Sequence, residues 1–463
     1  MLSTAVAGEG TPASPRLVRA EALAMLKLAG PLAATQLGQI AINTTDVLLL
    51  GWLGPEPLAA ASLGLALFFF LFMFGLGVVS ATSPLFAQAV GAGRPLRVRR
   101  VLQQGFLLVL GISLPLMLVM SQARPILLAL GQDPALLDTT RLFILGLLWG
   151  LPAMLGVVLL RCFTTAFGAG RPVLAATLIV VPLNAVLAYG LIFGAFGLPR
   201  LEVLGSGIAS ALAHAAMFLI LLAWCLVSPR FRRYILPLRL RPDLRLLREL
   251  LAVGLPIGGA GVMETGLFAG SGLLMGLIGT VPLAAHQVTL QICATFFMVP
   301  LGIGFAATIR VGRAHGAGDR AGARRAGFVA SVLGAGFMLG VALLYWLGAE
   351  PMIALFLDTV TPEAAATAAL AVTLLHVAIL FQLFDGLQVI GISSLRGLGD
   401  TRVPMLLAAF GYWAVGFPVA AVLGHATPLG PIGVWLGLAV ALAIVASLML
   451  ARFNRLTSPL RLG

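Results

Sequence analysis

Charge is what this chain has least of. Only 10% of its 463 residues are charged, lysine occurs once, at Lys27, and 60% of the residues are hydrophobic. Soluble domains carry roughly 25% charged and 45–50% apolar residues, so the composition excludes a string of soluble domains and indicates a polytopic membrane protein. The mean hydropathy of +1.07 agrees. Cysteine is almost as scarce. Cys162, Cys225 and Cys293 all stand in apolar runs without metal-ligand spacing, which argues against a disulfide framework or a zinc site. The chain has no GxxxxGK[ST] phosphate loop, HExxH pair or GxSxG nucleophile turn, so neither direct use of ATP nor an intramembrane enzyme is indicated, no cofactor is called for, and no catalytic residue is assigned. Alternating ten-residue strands are missing too, which leaves helices as the spanning elements.

What is present is a succession of twelve apolar runs, each near the 20 residues needed to cross about 30 Å of hydrocarbon. They cover approximately 24–53, 58–90, 101–122, 142–165, 173–195, 206–228, 248–279, 283–309, 327–348, 364–394, 404–424 and 431–452. Pro256 and its glycine neighbours predict a kink in the seventh. The connections alternate in arginine content. If the side holding the chain's first residues is called side A, it collects Arg94, Arg97, Arg99, Arg100 and Arg171, then seven arginines from Arg230 to Arg248. Arg310, Arg313, Arg320, Arg324, Arg325, Arg396, Arg402 and the C-terminal arginines follow. Side B holds only Arg124, Arg141 and Arg200. Cytoplasmic loops carry the basic excess, so side A is expected to be cytoplasmic, with both termini there, in a plasma (bacterial inner) membrane. The net charge of +13 then reads as topology and contact with anionic lipid, and not as a nucleic-acid site.

The chain also repeats itself. "GWLGPEPLAA" at Gly51 returns as "GLIGTVPLAA" at Gly276, 225 residues on, and the same offset carries Pro31 to Pro256, Gly77 to Gly302 and Gly91 to Gly316. "GAGRP" at Gly168 recurs loosely as "GLGDTRVP" at Gly397. An even number of helices per repeat predicts a parallel repeat about an axis along the membrane normal, with a central site between the halves. The expected organisation is an all-α membrane protein. It comprises a short disordered tail over 1–23 without a cleaved signal, a six-helix bundle over 24–228, a linker over 229–247, a second six-helix bundle over 248–452 and a tail over 453–463.

Of the sixteen acids, only Asp46, Glu264 and Asp385 fall well inside spans. A carboxylate at bilayer depth costs about 2.5–3.5 kcal/mol on insertion scales and normally marks an ion or substrate path. In the first helix Gln36, Gln39, Asn43 and Asp46 fall on one stripe about 80° wide. In the tenth, Gln382, Asp385 and Gln388 make a similar row, with His376 read as a packed or interfacial residue. Glu264 lies between Gly261 and Gly266, and the repeat sets it opposite Gln39. No basic residue is evident beside these acids; the nearest, Arg161, reads as snorkelling toward a helix end. Unpaired buried carboxylates exchange protons or bind a cation, so the pattern points to a cation path. Phe268, Phe296, Phe297, Met263 and Met298 read mostly as core or lipid-facing residues, some of them able to line a pocket for flat organic cations.

"TTDVLLLGWLG" around Asp46, "GLPIGGAGVMETGLFA" around Glu264, "PLAAHQVTLQI" around Gln287 and "FDGLQVIGISSLRGLGDTRVP" around Asp385 resemble the multidrug and toxic compound extrusion (MATE) transporters, NorM-like subgroup. The resemblance runs the whole chain in order. It implies a V-shaped pair of bundles that exports hydrophobic cationic drugs in exchange for inward H+ or Na+. It further implies Glu264 and Asp385 as coupling acids of the second bundle, where Na+ is a candidate, and Asp46 as that of the first. In such transporters two polar residues of the fifth helix support the first-helix Asp; here Asn184 is kept and Val180 stands a turn earlier, which favours a proton at Asp46.

A lipid-linked precursor flippase of the same superfamily would carry basic residues in its cavity, and a channel would not need alternating access. The expected partners are small cationic drugs and lipid, with no nucleic acid and a monomeric chain. Reporter fusions at Arg200 and Glu350 should mark the face opposite the termini. A reporter in the 349–363 loop that shares the termini's face would remove a helix from the count, and the repeat with it.

Overall fold

The computed structural model describes residues 15–237, 241–357 and 361–458. Glu9, Asp358, Arg239 and the outer parts of both expected tails lie outside the described residues. The protein is all-helical, and its twelve long elements follow the expected runs. They are α1 (Pro15–Leu53), α2 (Pro55–Gly91), α3 (Pro95–Ser121), α4 (Pro134–Leu148 with Leu151–Ala166), α5 (Arg171–Phe193) and α6 (Glu202–Val227). The second half repeats them as α7 (Leu244–Ile278), α8 (Thr280–Gly316), α9 (Arg320–Ala354), α10 (Pro362–Gly397), α11 (Arg402–His425) and α12 (Pro431–Thr457). Ten of these are long and apolar enough to cross a membrane on their own, and α4 makes an eleventh once its two pieces, bent by 44°, are joined. The remaining helix, α1, carries the polar row from Gln36 to Asp46, which lowers its hydropathy without shortening it.

Several boundaries differ from the sequence reading. The helix of α1 already starts at Pro15, inside the expected tail, because Glu21 is held by Arg310 of α8 through Nε at 2.7 Å and Nη2 at 2.5 Å. The linker contains a short helix, Pro229–Ile235, whose Phe231 and Tyr234 rings pack on Phe163 and Phe167. α12 continues to Thr457, where Phe453 is buried against Gly327. α7 runs unbroken through Pro256. Irregular backbone also occurs at Gly348 in α9, which leaves helical φ/ψ, and at a π-helical turn, Phe410–Gly416, in α11.

One large apolar core fills each bundle, with a smaller cluster around Ile42, Leu160 and Val180 also in the first, and α1 and α7 exchange between the two large cores. Leu28, Ala29 and Leu32 of α1 belong to the core of the second bundle, whereas Leu49 and Leu50 belong to the first. α7 does the converse: Leu246, Leu250 and Ile257 join the first core, and Leu267, Leu274 and Met275 the second. Each helix therefore leans on the opposite bundle at side A and returns to its own at side B.

Glycines make that crossing possible. The backbone of Gly77 in α2 touches Gly258 in α7, and Gly302 in α8 touches Ala33 in α1. Nearer side A, Gly91 abuts the Arg313 carbonyl, and Gly316 abuts that of Gln88. Both members of each pair of contacts are related by the 225-residue offset, so these are the same contact seen twice about the internal axis. Small residues at helix interfaces are how backbones approach closely in lipid. The bundles are thus in backbone contact at side A, whereas toward side B the polar Asn43 of α1 and Gln287 and Gln291 of α8 are exposed. Gly91→Val and Gly316→Val should each destabilise this closed side by about 1–3 kcal/mol through overpacking. A cysteine placed at the buried interface position 87 (Ala87→Cys) should then become reactive to a polar thiol reagent. Unchanged protection would show that the glycine contacts do not hold side A shut.

Candidate functional site

The polar row of α1 divides as it crosses the membrane. Asp46 lies toward side B, where Asn184 Nδ2 of α5 donates to Oδ1 at 2.8 Å and Ser210 Oγ of α6 donates to Oδ2 at 2.5 Å. Both carboxylate oxygens thus have neutral donors, one from each of two helices. His214 lies a turn beyond Ser210 on α6, its Nδ1 2.8 Å from the Ser210 carbonyl, and lines the same hollow as Asn43 and Asp46. Val180 is fully buried and supplies no oxygen. Gln39 reaches Met217 at 3.9 Å, and Gln36 turns away to accept from Arg161 at 3.0 Å. Sequence reasoning missed Ser210 and His214. Their signal was the spacing of Ser206, Ser210 and His214, four residues apart each time on one face of an apolar helix.

The second bundle builds a different environment. Asp385 is 5% exposed, and its neighbours on α10, Gln382 and Gln388, are buried. Gln382 Nε2 donates to the Cys293 carbonyl of α8 at 3.2 Å. Asp385 Oδ1, Gln382 Oε1 and Gln388 Oε1 are buried without such a partner, while the buried hydroxyls of Tyr345 and Tyr412 lie within reach of the Cys293 and Gln388 side chains. Orphaned buried oxygens are costly and rare, and several of them around one carboxylate make an oxygen-rich site suited to a hard cation. Aromatic rings pack nearby in two groups, Phe268 edge-on to Phe381 and Phe381 to Trp435 in one, and Phe296 edge-on to Tyr345 in the other. Tyr412 enters from the π-helical turn of α11, a feature concentrated at functional sites because it redirects a side chain without ending the helix.

Glu264 of α7 is brought into electrostatic contact with Asp385, so the structure joins the two acids that the sequence placed on separate helices. Gly266 lets the Trp413 indole lie against α7, where its Nε1 donates to the Met263 carbonyl at 3.2 Å. Phe268, Phe296, Phe297 and Met263 are partly buried against the second core. Gln287 is not part of this cluster; it precedes Cys293 by six residues, about 9 Å along the helix toward side B. His376 packs edge-on to Trp346.

Two arginines correct the sequence reading. Arg396 is not in a connection but in the last turn of α10, and it is the basic group that acts on Glu264. Arg161 does not snorkel: besides its bond to Gln36, its guanidinium sits 4.8 Å over the Phe305 ring of the other bundle. Basic residues therefore do lie between the bundles, on the side-A part of the interface.

Two six-helix bundles related by an internal repeat, with an acid held among polar side chains inside each, are the layout of a membrane transporter. The MatE family profile matches residues 31–190 and 256–422, one stretch in each bundle, and the chain belongs to the MATE family. It is 45% identical to the "Probable multidrug resistance protein NorM" of Bradyrhizobium diazoefficiens, over 93% of this chain and 92% of that one. It is 42% identical to the "Multidrug resistance protein NorM" of Burkholderia vietnamiensis, over 97% of each chain. Among solved structures, the fold is similar to the eukaryotic MATE transporter AtDTX14, with a TM-score of 0.82 at 20% identity over 95% of this chain and 98% of that one. A MATE in the straight conformation matches with a TM-score of 0.85 at 20% identity, over 97% and 99% of the two chains.

Proposed function

We propose that the protein is a secondary antiporter that exports hydrophobic organic cations, exchanging them for inward H+ or Na+ by alternating access between its two bundles. The observation that carries this reading is the cluster at Asp385, a buried carboxylate with an unpartnered oxygen, flanked on its own helix by the unpartnered amide oxygens of Gln382 and Gln388 and acted on by a second acid, Glu264. The names of the NorM relatives supply the substrate class. The arginine-rich side A is the cytoplasmic face of the bacterial inner membrane, so the closed side faces inward and the cleft opens outward. One chain encloses the whole path, and a monomer suffices.

In this state a drug cation leaves to the outside while a proton or Na+ enters the second bundle. Cation arrival relieves the repulsion between Glu264 and Asp385 and weakens their hold on a second cation, so drug and coupling ion antagonise each other. The bundles differ in what they offer. The second has free oxygens for Na+, whereas Asp46 already accepts from Asn184 and Ser210, an arrangement that better serves a carboxyl group gaining and losing a proton. A lipid-linked precursor is a poorer fit, because the two interfacial arginines sit in a small pocket at the closed side and not in the open cleft.

Asp385→Asn and Glu264→Gln should each lower ion-driven dye efflux from proteoliposomes by about tenfold or more while the protein remains folded, and the double variant should be little worse than either. Asp46→Asn should impair efflux driven by a pH gradient more than efflux driven by Na+. Normal gradient-driven efflux in both single variants of the second bundle would leave Asp385 a structural hydrogen-bonding group.

A further inference from the structure

Arg161 and Arg396 meet in one small pocket between the bundles. Its wall is made by Ser80 and Ser83 of α2 and Arg161 of α4 on one side, and by Phe305 and Thr308 of α8 and Arg396 of α10 on the other. Neither arginine belongs to any of the ion pairs among the described residues. Arg161 uses one donor on Gln36, and the buried Nε of Arg396 has no acceptor. A guanidinium carries five N–H donors and no acceptor, so two of them facing one enclosed space demand negative charge or lone pairs from something else. Ser80 and Thr308 donate their own hydrogens to the backbone carbonyls of Leu76 and Ser393, and among the described residues neither hydroxyl oxygen accepts from a guanidinium. Glu264 acts on Arg396 from the neighbouring cavity, and no carboxylate acts on Arg161.

We propose that this pocket is a binding site for a small monovalent anion of the size of chloride, clamped between Arg161 of one bundle and Arg396 of the other. Its room of about 30 Å³ fits one or two water-sized groups, which matches a small anion. The consequence is conformational. The two arginines converge only while side A is shut, so the anion binds the closed arrangement and loses half its ligands when the bundles part there. By linkage, a ligand that prefers one state raises the population of that state. The anion thereby favours the state open toward side B and sets how readily side A reopens. This inference rests on the two-bundle alternation alone and does not require that the cargo be a drug cation.

The test uses the purified full chain with exposed label sites at Leu96→Cys and Ala321→Cys near the side-A ends, at fixed sodium and fixed ionic strength, with chloride exchanged for gluconate. Chloride should shorten or narrow the label-to-label distance distribution and raise the thermal midpoint by about 2 °C. Nitrate should act like chloride, while gluconate and phosphate should not. Arg161→Gln and Arg396→Gln should each abolish the difference between chloride and gluconate. An equal response to chloride and gluconate in the unsubstituted arginine pair, or a full chloride response in the double Gln variant, would overturn the proposal. If the arginine variants fail to fold, crystals of the natural chain grown in bromide decide the matter: an anomalous peak between the two guanidinium groups supports the site, and its absence removes it.

Discussion

A carboxylate at membrane depth with no cation in ion-pair reach has two ways to lower its energy: it takes up a proton or it takes up a cation. Asp385 is such a group, buried, with a free oxygen and a second acid close by. The rest of the second bundle makes sense around it. Gln382 and Gln388 turn amide oxygens toward the same space, Tyr412 is delivered by a π-helical turn, and an aromatic wall from Phe268 to Trp435 limits water. Asp46 is the contrasting case. Its two oxygens are already satisfied by neutral donors from α5 and α6, so the two halves of one repeat have diverged in what they offer a cation.

For such a site to move cargo, the two bundles must separate at one face and seal at the other. The seal combines close backbone approaches with the leucines that α1 and α7 lend to the opposite cores. Gly77 on Gly258, Gly302 on Ala33, Gly91 on Arg313 and Gly316 on Gln88 put helices in contact at a distance that any Cβ would prevent. Contacts of that kind are specific but shallow, and they are joined by few strong polar ties. The Glu21–Arg310 pair is the partly buried one, while Arg97–Glu249 is more exposed and worth little.

Much of this was legible in the sequence, for reasons that can be named. Spans are long apolar runs because lipid imposes that length, and the 225-residue offset survived at Gly77, Gly91, Gly302 and Gly316 because only glycine permits those approaches. The three intramembrane acids stood out because charge is so rare in the chain. Other features left little trace. Arg396 lies at the last turn of α10 and reads as a loop arginine unless the helix end is known to be tucked between bundles. Pro256 lies inside a helix that continues through it, while the π-helical turn at Phe410–Gly416 has no comparable sequence mark. Ser210 and His214 were hidden by being neutral and small beside an obvious aspartate.

The central claim is that drug and coupling ion compete for the negative charge of Glu264 and Asp385. It is tested most directly by measuring the affinity of a fluorescent lipophilic cation for the purified protein. One series raises Na+ at constant alkaline pH and ionic strength, and a second lowers pH without Na+. The account predicts that at least one series weakens dye binding by about tenfold, and that saturating dye weakens binding of that ion by the same factor. A dye affinity that stays constant across both series would contradict it.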